Sequence, residues 1–244
     1  MKLSYGEIFK YSDIFNPISP TTLFSAGKLA ELEPNKIILD LGSGKGSPSL
    51  LWASIFGVQV EGYDIGKDYV IYANSRAKML NLSHRVKYYC KDVKKLIVNR
   101  KYDIVASLGL GIAQVYGDIS DALKNFKIML RKGGFLIFAE PIWLVKKVPS
   151  KVLKHLDAIE EHFLTKSKLQ QLMEKLGYQV KGCFVSTKED WEFYIEPVCI
   201  AMREIIESKS ELADEAQRVM NGFKAEYDAV GQHWNMVLWV VKAY

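Results

Sequence analysis

The sequence has few cysteines, no long hydrophobic run and little excess charge. Cys90, Cys183 and Cys199 are scattered and form no Cys-x-x-Cys pair, which argues against a disulfide framework and a zinc cluster. The histidines also lack metal-ligand spacing. No stretch approaches the roughly 18 apolar residues of a membrane span, and residues 1–14 mix charged with apolar side chains, unlike a signal peptide. We therefore expect a cytoplasmic protein with no membrane segment and no metal.

The charge balance gives little support for binding nucleic acid. The 33 Lys and Arg residues exceed the 28 Asp and Glu residues by 5, and they are spread along the chain. The run of Lys146, Lys147, Lys151 and Lys154 is interpreted as a solvated helix face rather than a phosphate-binding surface. Nucleic acid is therefore not expected as a partner, and no pattern indicates an oligomeric state.

From about residue 36 onward, short β-branched apolar runs alternate with longer helical patterns, as in βαβ units with a parallel sheet. We predict an α/β, Rossmann-like fold with a seven-stranded, mostly parallel sheet, helices on both faces and a helical cover. The predicted strands are Lys36–Leu41, Gln59–Asp64, Val86–Cys90, Tyr102–Leu108, Gly134–Ala139, Tyr178–Ser186 and Asn235–Val241.

The length of 244 residues favours one domain over residues 1–244. Residues 1–33 are predicted to form an N-terminal helical segment, with a helix over Ser19–Leu32, that folds over the ligand opening. Residues 141–175 and 187–232 are longer than minimal βαβ connections require. Because loops beyond the carboxyl ends of parallel strands shape the ligand crevice, we expect these two insertions to cover the substrate.

The glycine-rich loop Asp40-Leu41-Gly42-Ser43-Gly44-Lys45-Gly46 follows the first predicted strand. An NTPase phosphate loop requires Ser or Thr after its lysine, but Gly46 stands there. The dinucleotide fingerprint would require glycine at Ser47. Asp-x-Gly-x-Gly-x-Gly instead resembles motif I of the class I methyltransferases, which use S-adenosylmethionine (SAM) and have a seven-stranded sheet. Ser47 is the predicted N-cap of the following helix.

Acidic residues at three strand ends favour SAM as the cofactor. The Asp40 carboxylate suits the cationic amino-acid end of SAM better than it suits a pyrophosphate. Asp64 ends the second strand about 20 residues later, where a carboxylate accepts hydrogen bonds from ribose hydroxyls. Asp92 resembles the methyltransferase position that contacts the adenine amino group. The predicted SAM-binding residues are Asp40, Gly42, Ser43, Gly44, Gly46, Asp64, Ile65, Asp92, Val93 and Ser107.

Motifs that are present or missing limit the classes of methyl acceptor. The Asn/Asp-Pro-Pro-Tyr/Phe motif of enzymes that methylate exocyclic base amines is replaced by residues 107–111, Ser-Leu-Gly-Leu-Gly, and the Pro-Cys nucleophile of RNA 5-methylcytosine enzymes is missing. Phe15-Asn16-Pro17, Glu140-Pro141-Ile142-Trp143 and Asp190-Trp191 resemble small bacterial and archaeal methyltransferase-domain proteins of unassigned substrate. That resemblance implies a small-molecule acceptor and supplies no catalytic residue.

Candidate catalytic and substrate residues follow from position. Glu140, placed just past the fifth predicted strand, is a candidate for orienting or deprotonating the acceptor; a turn or ion-pair role is the alternative. His233 is a second candidate base, and a structural role is its alternative. Trp143, Trp191 and Tyr194 are predicted to line an aromatic substrate wall, with core packing as the alternative.

The leading hypothesis is a SAM-dependent methyltransferase acting on an O, N or S atom of a small molecule. Two other functions stay open. One is an RNA methyltransferase that uses the basic residues near 146–154, and the other is a non-catalytic SAM-binding module that regulates a partner.

Overall fold

A single mixed sheet runs through the protein in the order β3-β2-β1-β4-β5-β8-β7, with β6 paired to β5. The computed structural model describes residues 2–109, 111–155 and 163–244. The strands are β1 (Ile37–Leu41), β2 (Gln59–Asp64), β3 (Val86–Cys90), β4 (Tyr102–Ser107), β5 (Leu130–Trp143), β6 (Leu164–Thr165), β7 (Tyr178–Val185) and β8 (Trp234–Ala243).

The predicted fold class is confirmed. All seven predicted strands are present, and all pairs are parallel except those of β8, which runs antiparallel to both β5 and β7. The short strand β6 is an eighth, and it pairs with Ile142 and Trp143. The largest difference is β5: the prediction ended it at Ala139, before Pro141, but β8 pairs with it as far as Trp143. The antiparallel partner therefore extends the strand past the proline.

Helices cover both faces of the sheet, as predicted. They are α1 (Tyr5–Ile8), α2 (Pro20–Leu29), α3 (Ser47–Phe56), α4 (Lys67–Met79), α5 (Ile112–Tyr116), α6 (Ile119–Met129), α7 (Ser150–His155), α8 (Lys166–Lys175), α9 (Lys188–Glu207) and α10 (Ala213–Ala229). Side chains alternate along a strand, so Ile38 of β1 joins the core under α2, α3 and α4, whereas Leu39 joins the core under α6 and α8.

A third apolar cluster lies between α9, α10 and the ends of β5 and β8. Helix α9 begins at a capping box, in which Thr187 and Asp190 each bond the other's backbone N–H. The second Asp190 oxygen accepts a hydrogen bond from the Ser19 N–H, 3.2 Å away, at the N-cap of α2. Asp190 therefore joins the starts of two helices that are far apart in the chain.

The helix starts show one correct prediction and one error. Helix α2 lies within the predicted Ser19–Leu32, and Ser19 caps it. The N-cap of α3 is Gly46 rather than Ser47, because the loop closes with Gly46 in the left-handed conformation, φ 76°, which suits glycine.

The two predicted insertions contain helices. Residues 187–232 hold α9 and α10, and residues 141–175 hold α7, β6 and α8; residues 156–162 of the latter lie outside the described part. None of the helices described is long and apolar enough to cross a membrane.

Candidate active site

The glycine loop is attached to the end of β2 by its own backbone. The N–H groups of Gly42 and Ser43 donate to the Tyr63 carbonyl at 2.8 and 3.1 Å, and the Gly44 N–H donates to Asp64 Oδ2 at 2.8 Å. Gly42, Gly44 and Gly46 all have positive φ, a conformation that other residues adopt at a cost. The loop is therefore a tight turn that leaves its backbone open to close approach.

Asp40, at the end of β1, is a buried carboxylate beside this loop. It is 3% exposed, and its Oδ2 has no hydrogen-bond partner in the described residues. Burial raises the pKa of Asp40 to about 6; the nearby Ser49 hydroxyl opposes this rise and the charge of Asp64 adds to it. The Ser43 hydroxyl is also buried without a partner. Two unpaired polar atoms thus lie at one cavity, where a polar ligand would satisfy them.

Asp64 ends β2 and holds two turns at once. Its Oδ1 accepts a hydrogen bond from the Gly66 N–H at 2.7 Å, and its Oδ2 accepts the one from Gly44. A carboxylate offers about four lone-pair sites, so two acceptor positions remain for a ligand. The sequence predicted Asp64 as a ligand acceptor but did not predict its second role in bracing the loop.

A cavity of about 480 Å³ lies in front of the loop, and we call it the loop cavity. Asp40, Gly42, Ser43, Gly44, Asp64 and Ile65 line it, so the structure brings together six of the ten predicted cofactor residues. Gly46, Val93 and Ser107 are buried. Gly46 ends the glycine loop, Ser107 ends β4, and Asp92 caps a 3₁₀ turn over Val93–Lys95. These four do not line the loop cavity.

Residues 5–18, which we call the N-terminal strap, form the opposite wall. Tyr5, Phe9, Phe15 and Asn16 of the strap line the cavity. The Asn16 side chain donates to the Leu108 carbonyl at 2.7 Å, just past β4. The sequence did not predict these lining residues, although Phe15-Asn16-Pro17 stood out as a motif.

Lys45 of the glycine loop holds the strap in place. Its Nζ donates to the carbonyl oxygens of Phe9 and Ser12, both at 2.8 Å. These carbonyls follow the short helix α1, where a cation is favoured. The lysine of the glycine loop therefore connects the loop to the strap.

Aromatic rings surround the far part of the cavity. Tyr69 of α4 and Tyr194 of α9 line it together with Phe9 and Phe15. The ring centroids of Phe9 and Phe15 are 4.8 Å apart, and those of Phe15 and Tyr69 are 5.1 Å apart. Of the three aromatic residues predicted to contact substrate, Tyr194 lines this cavity.

The other two predicted aromatic residues lie outside the loop cavity. Trp191 is 2% exposed; its indole N–H donates to Asn235 Oδ1 at 2.9 Å, and it packs edge-on against Trp234 and Tyr194. Trp143 packs against Phe163 and lines a different cavity beside α8. Trp191 therefore supports Tyr194 from behind.

Glu140 lies inside β5 rather than past its end, because β8 extends the strand. It is 4% exposed, and its Oε1 accepts a hydrogen bond from the Ile112 N–H at 3.1 Å, at the start of α5. Burial raises the pKa of Glu140 to about 8, opposed by that hydrogen bond. The carboxyl group holds the start of α5 and does not line the loop cavity.

His233 is also outside the loop cavity. It lines a separate cavity with Lys151, Lys154 and Asp228, and its Nδ1 is buried without a partner in the described residues. Neither predicted candidate base thus faces the glycine loop.

Comparison with known proteins agrees with this geometry. Residues 32–219, more than half of the chain, match a family model described as a methyltransferase domain. The uncharacterised protein YjhP of Escherichia coli K12 is 27% identical over 199 residues, which are 81% of this chain and 79% of YjhP.

Solved structures share the fold at 24% identity. A SAM-dependent methyltransferase from Geobacter sulfurreducens, in complex with S-adenosyl-L-homocysteine (SAH), superposes with a TM-score of 0.90 and covers 100% of this chain and 99% of that chain. The X-ray structure of E. coli YjhP superposes with a TM-score of 0.87 over 98% of each chain. The chain therefore belongs to the methyltransferase-domain family, and it shares the fold of a SAM-dependent methyltransferase.

Proposed function

We propose that the protein transfers the methyl group of SAM to an O, N or S atom of a small molecule bound in the loop cavity. The observation that carries this proposal is that the N-terminal strap and the glycine loop line one cavity of about 480 Å³, in which we place both reactants. A chamber of this kind suits a small acceptor rather than a nucleic-acid strand.

We assign cofactor binding to the residues around the loop. Asp64 accepts hydrogen bonds from the ribose hydroxyls, and the unpaired Asp40 oxygen faces the amino-acid end of SAM. The glycines let the backbone approach the ligand. Asp92, Val93 and Ser107 are assigned to the adenine side, because each lies at the carboxyl edge of β3 or β4.

The chemistry requires little from a base. Methyl transfer from a sulfonium is an in-line displacement, so alignment of the reactants and exclusion of water supply much of the rate. The strap excludes water from above the loop, while Tyr194 and Tyr69 bound the acceptor side. We assign Glu140 a positioning role: it holds the start of α5, which follows the loop after β4.

The lysines on which the RNA alternative depends line other cavities. Lys146 lines the cavity beside α8, and Lys151 and Lys154 line the one beside His233. These lysines are therefore not part of the loop cavity, where an RNA acceptor would have to place its reacting atom.

Isotope-labelled SAM tests the proposal directly. The purified protein is incubated with labelled SAM and either a fractionated metabolite pool or total RNA, and labelled product and SAH are measured by mass spectrometry. We expect label in low-molecular-weight products and SAH in equal amount. Label found in RNA alone would overturn the proposal, and formation of SAH with any acceptor would eliminate the non-catalytic alternative.

A further inference from the structure

A chain of aromatic rings leads away from the glycine loop. A Cβ atom on Gly44 would lie 3.3 Å from the Phe15 ring, so Phe15 stands directly over the loop. The ring centroid of Phe9 is 4.8 Å from that of Phe15. From Phe9, the centroid of Tyr5 is 6.1 Å away and that of Tyr194 is 6.2 Å away. Tyr5, Phe9 and Tyr194 therefore form an aromatic end of the loop cavity beyond the loop itself.

Three carboxylates and one ammonium group line the cavity. Asp13, Asp40 and Asp64 line it. Among the described lining residues, Lys45 is the basic side chain, and its ammonium group already donates to backbone carbonyls. Asp13 also pairs with Arg76 at 3.3 Å, and Asp40 and Asp64 are assigned to the cofactor. An anionic acceptor would therefore find no available cation among the described lining residues, which is unfavourable in a partly desolvated chamber.

A further carboxylate lies behind the aromatic end. Glu226 of α10 has no hydrogen bond or ion pair in the described part of the chain, and burial raises its pKa to about 7. Burial raises the pKa of Tyr194, and the charge of Glu226 adds to this rise. The same helix carries Phe223, whose ring centroid is 5.7 Å from that of Tyr194. A partly buried carboxylate near an aromatic wall favours a positive charge beside that wall.

We propose that the aromatic end formed by Tyr5, Phe9 and Tyr194 binds the ammonium group of an amine acceptor, so that the enzyme is an N-methyltransferase. This inference rests on the proposed small-molecule function and names its acceptor class. Aromatic faces attract organic cations within about 6 Å, and a methylated amine matches both the apolar rings and the acidic lining.

The reaction balances for an amine without a metal or an oxidant. The ammonium group first loses a proton to solvent, which frees the nitrogen lone pair. That lone pair forms the new N–C bond to the methyl group, and the electron pair of the broken C–S bond stays on sulfur, which becomes the neutral thioether of SAH. The product nitrogen carries the positive charge, which the aromatic end also accommodates.

Choline and its neutral isostere 3,3-dimethylbutan-1-ol separate charge recognition from apolar fit. Choline cannot accept another methyl group, so its binding is measured without turnover. The full-length protein is saturated with SAH and titrated with each compound by calorimetry. Tyr5 is 73% exposed, so we expect choline to bind about twofold to fivefold more tightly than the isostere, as cation–π attraction at partly exposed rings predicts.

Matched variants locate the recognition. Tyr194→Leu should weaken choline binding about threefold to tenfold, whereas Tyr194→Phe, which retains the ring, should change it less than twofold. Glu226→Gln should also weaken choline binding and leave SAH affinity unchanged. This second variant tests the inference even if Tyr194→Leu does not fold.

The outcomes distinguish this inference from the proposed function. Equal binding of the two probes, or binding of neither, by SAH-loaded protein overturns the amine assignment. The same holds if Tyr194→Leu lowers affinity for SAM but not for SAH, since the ring would then serve the sulfonium. A protein that binds neither SAM nor SAH would instead contradict the proposed function itself.

Discussion

Asp64 combines a predicted ligand contact with a structural one that only the fold shows. It bridges the Gly44 and Gly66 N–H groups while two acceptor positions remain for the ribose. We expect Asp64→Ala to weaken SAM binding about tenfold to hundredfold, as the loss of hydrogen bonds to a charged group predicts. Calorimetry measures the affinity, and circular dichroism checks that the fold is intact.

Asp64→Asn is the matched control for shape. Its amide retains one oxygen acceptor but points an NH₂ group at a backbone N–H donor. We expect an affinity between those of the wild type and Asp64→Ala. SAM binding that is unchanged in the alanine variant would show that the ribose site has been assigned incorrectly.

We predict that the Asp40 carboxylate lowers the free energy of unfolding near neutral pH but increases the affinity for SAM. Its folded-state pKa of about 6 is above the ordinary value, so the folded protein binds the extra proton between the two values. The contribution of Asp40 to the free energy of unfolding is therefore most favourable below the ordinary Asp pKa. It is lost as the pH rises through about 6 and does not change above that. Asp40→Asn cannot ionise and escapes this loss.

We compare the free energy of unfolding of Asp40→Asn with that of the wild type at two pH values. Relative to the wild type, the variant should be more stable at pH 7.5 than at pH 4 by roughly 1–3 kcal/mol. Urea unfolding without ligand at the two pH values measures it. SAM affinity at pH 7.5 should fall in the same variant. A pH-independent difference would indicate that Asp40 is not desolvated in the ligand-free protein.

At the scale of elements, the N-terminal strap depends on the glycine loop for its position. Lys45 contributes two short hydrogen bonds to strap carbonyls, whereas Lys10 forms an exposed ion pair with Glu204 of α9. Hydrogen bonds from a partly buried ammonium group stabilise more than exposed ion pairs do.

We expect Lys45→Met to speed SAM dissociation about threefold to thirtyfold and to increase hydrogen exchange in residues 5–13, since each charged hydrogen bond contributes about 1–2 kcal/mol after partial exposure. Stopped-flow dissociation and exchange mass spectrometry measure these effects. Lys10→Met removes a similar charge from the strap surface and should change neither by more than about twofold. Equal effects of the two substitutions would contradict the role given to Lys45.

The Asp190-Trp191 motif also acts at this scale. Asp190 caps α9 and bonds the start of α2, and Trp191 bonds Asn235 of β8. The motif thereby fixes the start of α9, which carries Tyr194 about one helical turn after Asp190. Its sequence prominence reflects the placement of a cavity wall rather than direct contact with the loop cavity.

At the scale of the whole molecule, we propose that residues 1–244 unfold as one unit. The third apolar cluster contains side chains from the strap, β5, α9, α10 and β8, so the covering helices share strands with the main sheet. Trp143, Trp191 and Trp234 lie in that cluster, and Trp52 and Trp239 lie against the sheet faces.

Urea unfolding followed by tryptophan fluorescence and by far-ultraviolet circular dichroism should therefore give coincident transitions. SAH at about one hundred times its Kd should raise the free energy of unfolding by about 2.7 kcal/mol and move both transitions together. A fluorescence transition at lower urea than the dichroism transition would show that the covering helices unfold separately.

Local sequence patterns are sufficient to predict the strands in their chain order, the glycine loop and its acidic neighbours. These depend on local patterns: strand and helix periodicity, left-handed glycines, and carboxylates at the ends of consecutive parallel strands, which meet at one edge of the sheet. The sequence also predicts Tyr194 as a substrate residue, but it does not predict the strap residues that line the cavity beside it.

The side chains that face the glycine loop follow from the tertiary fold. The strap residues Phe9 and Phe15 meet Tyr194 across more than half of the chain, and no local pattern encodes such a contact because packing of distant segments creates it. Glu140 is predicted just past the end of a strand, but it lies inside β5 because the antiparallel partner β8 lengthens that strand. There it accepts a buried hydrogen bond from the Ile112 N–H. Periodicity specifies elements, whereas the identity of the groups that share one cavity follows from how those elements pack.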